Sequence, residues 1–145
     1  MSSVLQENNY QQKVNSYTKE DWQPLLDLIP EIENTQKFST TRGGEIDEDG
    51  VMSMPFNEPA PIVNEFQKIV YELPIIIVFD WAKWEEGKKM VRDENFDFDT
   101  TDIPTKCKLI TAIVRNDRFR DGALVSAFES GVILKILKSI ERQLH

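Results

Sequence analysis

Arg115-Asn116-Asp117-Arg118-Phe119-Arg120-Asp121-Gly122 puts five charges and one phenylalanine into eight residues. Arginine presents a planar fork of N–H donors. Arg115, Arg118 and Arg120 therefore have the chemistry to grip a phosphate or carboxylate bidentately. The same residue types also suit a junction between two helices. There an arginine bonds terminal carbonyls, an aspartate caps the next helix, a phenylalanine anchors the turn and a glycine permits it. The pattern favours the junction, with Arg118 buried and held in ion pairs. Arg115, off the Ile110/Val114 stripe, is then the better ligand contact, with Asp117 and Asp121 beside it. Upstream, Asp80 precedes Trp81 and Trp84. Two indoles at that spacing could stack a base or a sugar, but tryptophans on one helix face more commonly pack into a core, and core packing is expected.

Other chemistry-bearing residues carry weaker signals. The stretch Glu45 to Phe56 places acids at the first, third and fifth positions of a calcium-type loop and Gly50 at the sixth. The twelfth position, which needs a bidentate glutamate, is Phe56. A solvated turn is expected, with Asp49-Gly50 at its tip. Asp93, Glu94, Asp97, Asp99 and Asp102 could in principle hold a magnesium ion with the help of waters. An exposed acidic loop ending in a helix cap is the reading preferred. Cys107 is the one cysteine, so no disulfide can form within the chain. It lies between Ile103 and Ile110 and is expected to be a buried apolar residue. The one histidine is His145, the last residue, which gives cysteine or serine nucleophiles no histidine partner nearby in sequence. No cofactor motif is present.

Composition narrows the class of protein. The chain has 145 residues, 40% hydrophobic and 29% charged, which suits one folded domain with a core of its own. Its formal charge is −8, so direct binding to nucleic acid or anionic lipid is disfavoured. The charge is unevenly placed. Residues 105–145 carry eight Lys/Arg against four Asp/Glu, whereas the first 104 carry nine bases and 21 acids. The longest strongly apolar run, Leu73 to Phe79, is far too short to span a bilayer. Residues 1–17 lack an apolar leader-like stretch, and a cytoplasmic location is expected.

The elements that would position these residues read mostly as helices. Residues 1–17, rich in Gln, Asn and Ser, are expected to be a flexible tail, and 18–145 a single helical domain. Thr18 suits an N-cap, and Trp22, Leu25, Leu26 and Ile29 follow at helical spacing until Pro30 ends or kinks the helix. Pro61 opens a second helix with Ile62, Phe66, Ile69, Val70 and Leu73 on one face. Ile75 to Val78 has strand-like composition but no partner of similar quality, so a strand, an extended connector and a helical turn all remain open. Asp80 is expected to cap a short helix that stops before Gly87. Thr101 or Asp102 caps a helix carrying Ile103, Cys107, Ile110 and Val114, with Pro104 in its first turn. A helix with Leu124, Val125 and Phe128 ends at Gly131, and the last carries Ile133, Ile136, Leu137, Ile140 and Leu144.

Three segments together resemble a known family. They are Arg-x-Asp-Arg-Phe-x-x-Gly at Arg115 to Gly122, Phe128-Glu129-Ser130-Gly131, and Phe79-Asp80-Trp81-x-x-Trp84. The likeness is to a family of small bacterial proteins classed only as a domain of unknown function, and it would run from about Trp22 to Leu144. Asn116 stands where that pattern has a small residue. The resemblance implies a compact helical bacterial domain and supplies no activity or catalytic residue.

The expected fold is all-α or nearly so. Five or six short helices surround one core, with room for a small β-hairpin near residues 40–56. The preferred function is a non-enzymatic binding or protein-interaction module using Arg115, Asp117, Arg118 and Asp121, joined by Asp80, Trp81 and Trp84. Its partner would be another protein or a second copy of the chain, with no cofactor and no metal. One rival is a hydrolase or transferase in which arginine clamps an anionic substrate and the Asp97–Asp102 loop holds a divalent ion. Another is an acidic decoy or inhibitor of a nucleic-acid-handling protein.

Overall fold

The computed structural model describes residues 2–52, 54–118, 120 and 122–144. Among them are eight α-helices: α1 Ser2–Asn15, α2 Lys19–Leu26, α3 Leu28–Asn34, α4 Pro61–Glu72, α5 Glu85–Arg92, α6 Ile103–Asn116, α7 Ala123–Glu129 and α8 Val132–Gln143. Two four-residue strands, β1 Ser39–Arg42 and β2 Phe56–Pro59, complete the fold. The chain is thus mostly helical with one small hairpin.

Local chemistry explains where most helices start and stop. Thr18 accepts from the backbone N–H of Asp21, while the Asp21 carboxylate accepts from that of Thr18 at 2.8 Å. This reciprocal pair satisfies two otherwise orphaned donors at the start of α2. Asp102 accepts from the Thr105 N–H at 2.9 Å and starts α6, with Pro104 in the first turn. Gly122 and Gly131 precede α7 and α8 at φ of +85° and +86°. A residue with a side chain is strained in that conformation, which glycine adopts freely. Each glycine therefore lets the chain turn sharply into the next helix.

Helix α6 lies at the centre. It packs against α1, α7 and α8, while α2 and α3 bridge α8 and α4. Trp22, Phe66, Leu109, Ile110, Ile133, Ile136 and Leu137 are essentially fully buried in one continuous core. Each such side chain contributes about 1.5–3 kcal/mol of apolar burial.

Several expectations are corrected. Residues 1–17, expected to be a flexible tail, instead carry α1, whose Tyr10 and Val14 reach the core. The α1 sequence has little helical amphipathicity, so its order depends on the surface it docks against. Pro30 does not mark the break after Trp22. The chain bends at Asp27, and Pro30 occupies the first turn of α3, where its missing N–H leaves no helical bond unmade. Gly87 lies inside α5 and does not terminate a helix. These differences, with the split of α2 from α3, account for eight helices in place of five or six. The Ile75–Val78 segment is an irregular connector. Tyr10 donates its hydroxyl to the Ile75 carbonyl, Tyr17 donates to the Pro74 carbonyl at 3.1 Å, and Thr111 Oγ1 accepts from the Ile77 N–H at 3.4 Å. The Ile75 carbonyl and the Ile77 N–H are thus met by side chains, and the Ile75 N–H donates to the Val70 carbonyl at 3.5 Å.

The hairpin follows the expected span. Strands β1 and β2 pair antiparallel from Ser39 opposite Pro59 to Arg42 opposite Phe56, and Ile46 bridges Met52 further out. The Asp47 carboxylate accepts from the N–H groups of Asp49 and Val51, both at 2.9 Å, and closes the tip.

Candidate binding groove beside the tryptophan turn

Residues Trp81–Lys83 form a single 3-10 turn immediately before α5. The Trp84 indole then lies across the backbone of Gly87. A Cβ at position 87 would sit 2.3 Å from its ring, so only glycine leaves room for the indole. Phe79 meets Trp84 edge-on at 5.7 Å between ring centroids. The Lys108 ammonium stands 4.8 Å from the Trp84 ring and 4.9 Å from that of Phe79. A cation over an aromatic face contributes about 0.5–2 kcal/mol, depending on desolvation.

This turn forms one wall of a groove of about 660 Å³ between α5 and the second half of α6. Its apolar surface comes from Trp81, Trp84, Val91, Leu109 and Ile113, with the small Ala112 between Leu109 and Ile113 on α6. Lys88, Arg92, Asn116 and Arg120 supply the polar rim. Lys88 Nζ lies 3.4 Å from a Glu85 carboxylate oxygen. A second hollow of about 420 Å³ shares Val91, Ile113, Asn116 and Arg120 and continues to Ala123, Ser126 and Ser130 on α7. The two make one channel along α6 with an apolar floor and cationic edges.

The structure divides the residues singled out from sequence. Trp81 and Trp84 both line the groove and are half-buried; Trp84 also packs against the core, as expected of it. Asp80 is exposed, makes no cap bond and stands 3.9 Å from Lys83 Nζ. Arg115 is half-buried with its guanidinium 5.9 Å from the Tyr71 ring, and it is not among the residues lining the groove. Asp117 is a cap: its carboxylate accepts from the Leu124 N–H at 3.0 Å, at the start of α7, where Gly122 has no side chain to do so. Arg118 is exposed, contrary to the expected buried ion pair. Asp121 and Phe119 lie outside the described residues. The motif thus sends Asn116 and Arg120 to the groove, and Arg115, Asp117 and Arg118 elsewhere.

Sequence reasoning overlooked Lys88, Arg92, Asn116 and Arg120 as a set. A partial signal existed. Leu109, Ala112, Ile113 and Asn116 share one face of α6, and Lys88 and Arg92 are one turn apart on α5.

A separate polar cluster lies where α6 and α8 meet the Asp97–Asp102 loop. Arg142 donates to both Asp99 carboxylate oxygens, with Nε to Oδ2 and Nη2 to Oδ1 both at 3.0 Å, and Ser139 donates to the same group. Hydrogen bonds from Arg142 and Ser139 hold the Asp99 carboxyl below its usual range. Asp97 caps its own turn by accepting from the Asp99 N–H at 3.0 Å. Lys106 is fully buried and donates to the Thr101 carbonyl at 2.9 Å. Burial pulls its pKa down, against the attraction of Asp99 and Asp102. Among the described residues, no group of three or more His, Cys, Asp or Glu is arranged to hold a metal ion. Cys107 is buried, as expected, and desolvation pushes its thiol up to about 12. No described helix is long and apolar enough to cross a membrane.

Residues 17–145 match the model of a family described as a family of unknown function, DUF6508. No curated protein and no solved structure matches the chain.

Proposed function

We propose that this chain, which belongs to the family of unknown function DUF6508, is a non-enzymatic binding module. Its groove takes an apolar, negatively charged segment of a protein partner. The observation that carries this reading is the groove of about 660 Å³ with indole walls and Lys88, Arg92 and Arg120 on its edges, in a chain of net charge −8. A cationic rim on an acidic protein concentrates anionic guests at that point, and the apolar floor supplies affinity once they arrive. A cytoplasmic, bacterial setting belongs to the same reading. It is supported by the composition, the single buried thiol and the motif resemblance.

The test uses anilinonaphthalene sulfonate, an aromatic anion that matches both features of the groove. Its fluorescence should rise saturably on titration with the chain and quench tryptophan emission. Ala112→Trp fills the channel from a half-buried position. It should weaken binding about tenfold, or ~1.4 kcal/mol, as should the pair Arg92→Glu and Arg120→Glu. Dye binding unchanged in these variants would overturn the assignment of the groove as the binding site.

A further inference from the structure

The hairpin that carries β1 and β2 is out of character with the rest of the surface. Among the described residues, seven large hydrophobic side chains are exposed, and five of them lie on this one arm: Ile46 at 70%, Val51 at 61%, Met52 at 60%, Met54 at 86% and Phe56 at 57%. Glu45, Asp47, Glu48 and Asp49 alternate with or adjoin them, and all four acids are exposed. An apolar surface of this kind on a small helical protein marks an interaction site.

The arm and the groove are complementary. One offers apolar side chains beside four carboxylates; the other has an apolar floor edged by Lys88, Arg92 and Arg120. They also sit close together on the molecule. Ser39, Asn57 and Pro59 at the root of the arm share a hollow with Gly122 and Ser126, and these same two residues line the extension of the groove. The arm is therefore rooted across α7 from the groove, while its own apolar side chains remain in solvent. A two-fold axis near α7 would bring two arms and two grooves into a single closed interface, as symmetric dimers require.

We infer that the occupant of the groove is the β1–β2 arm of a second copy of this chain, so that two copies exchange arms in a symmetric dimer. The inference rests on the groove being the binding site. Charge pairing at its edges sets the register, and Ile46, Val51 and Met52 supply apolar area against the indole wall. Added salt weakens the dimer by screening the edge charges.

Sedimentation equilibrium on the full chain at about 100 μM, a concentration that detects even a modest interface, should give twice the chain mass. An arm variant, Glu45→Lys with Glu48→Lys and Asp49→Lys, leaves the turn-closing Asp47 intact, reverses the charge of the arm and should be monomeric. A groove variant, Arg92→Glu with Arg120→Glu, should be monomeric too. Each substitution lies on an exposed surface, and helical circular dichroism checks that both variants fold. Mixed together, each variant offers an arm opposite in charge to the other's groove, and the mixture should recover the doubled mass. A monomeric wild type, single variants that still dimerise, or a mixture that stays monomeric would each overturn arm exchange. The arm variant keeps an intact and vacated groove, so it should bind anilinonaphthalene sulfonate at least as tightly as the wild type. Loss of the dimer inference with dye binding still dependent on Arg92 and Arg120 would leave the groove itself standing.

Discussion

Asp117 and Arg118 are neighbours of opposite charge with opposite consequences. Asp117 satisfies the Leu124 N–H at the start of a helix whose N-cap is a glycine. Arg118 holds its side chain in solvent. Removing one partner of a buried ion pair would cost about 3–5 kcal/mol, but Arg118 is not in that situation. Arg118→Ala should change the unfolding free energy by less than about 0.5 kcal/mol, the usual range for a plain surface site. Asp117→Ala should cost about 1 kcal/mol, the ordinary effect of losing a helix cap. Urea denaturation of the two variants checks the order. A larger loss for Arg118→Ala would mean that the arginine is held by contacts absent from this structure.

Among the elements, α1 is the least self-sufficient. Among its described side chains, Tyr10 and Val14 reach the core, and the Tyr10 hydroxyl donates to the Ile75 carbonyl, beside Thr111. It also lies before residue 17, where the family match begins. Each of the two side chains contributes about 1.5–3 kcal/mol of burial, and ordering the helix offsets part of that. A chain lacking residues 1–15 should therefore lose about 2 kcal/mol or more and expose the Ile75–Val78 connector. Tyr10→Phe keeps the ring and removes only the hydroxyl, so it should lose about 1 kcal/mol, the net value of one hydrogen bond. Thermal melts of the two variants read this ranking. Equal melting temperatures for the truncated and intact chains would show that α1 contributes nothing to the fold's stability.

For the folded chain as one cooperative unit, two neighbouring buried groups on α6, Lys106 and Cys107, act on alkaline stability in opposite directions. The Cys107 thiol ordinarily ionises near 9.0, and in the folded chain it does so only at about 12. Below about pH 8 it is protonated in both states and has no effect. Between these values the unfolded chain loses its proton and the folded chain keeps it, so stability falls by up to about 1.4 kcal/mol per pH unit. Lys106 acts in the other direction. Its folded pKa is lowered from 10.5, so with rising pH the folded state releases a proton that the unfolded state still holds, and stability rises in that window. Denaturation midpoints taken from about pH 8 to about pH 11 should fall less steeply in Cys107→Ala than in the wild type. Identical slopes would show that the thiol ionises alike in both states.

Much of the fold is local and was legible from residue order. Helices α4, α6 and α8 follow from apolar residues recurring every three or four positions. Their boundaries follow from Pro61, Asp102 and Gly131, because caps and backbone preferences act within a few residues. The turn at Asp49-Gly50 and the break at Gly122 are legible for the same reason. The groove was not legible, because its walls come from residues 81–92 and its floor from 109–120, and no local preference says that two such segments will lie side by side. Whether Trp84 packs inward or lines a wall depended on Gly87 opening a slot for it. Whether Arg118 is buried depended on which way the α6–α7 junction faced. The docking of α1 likewise waited on a surface built by α6 and the connector. Local interactions decide which segments become helices; burial between segments distant in sequence decides which faces become core, wall or solvent-exposed arm, and here only the assembled core supplies that information.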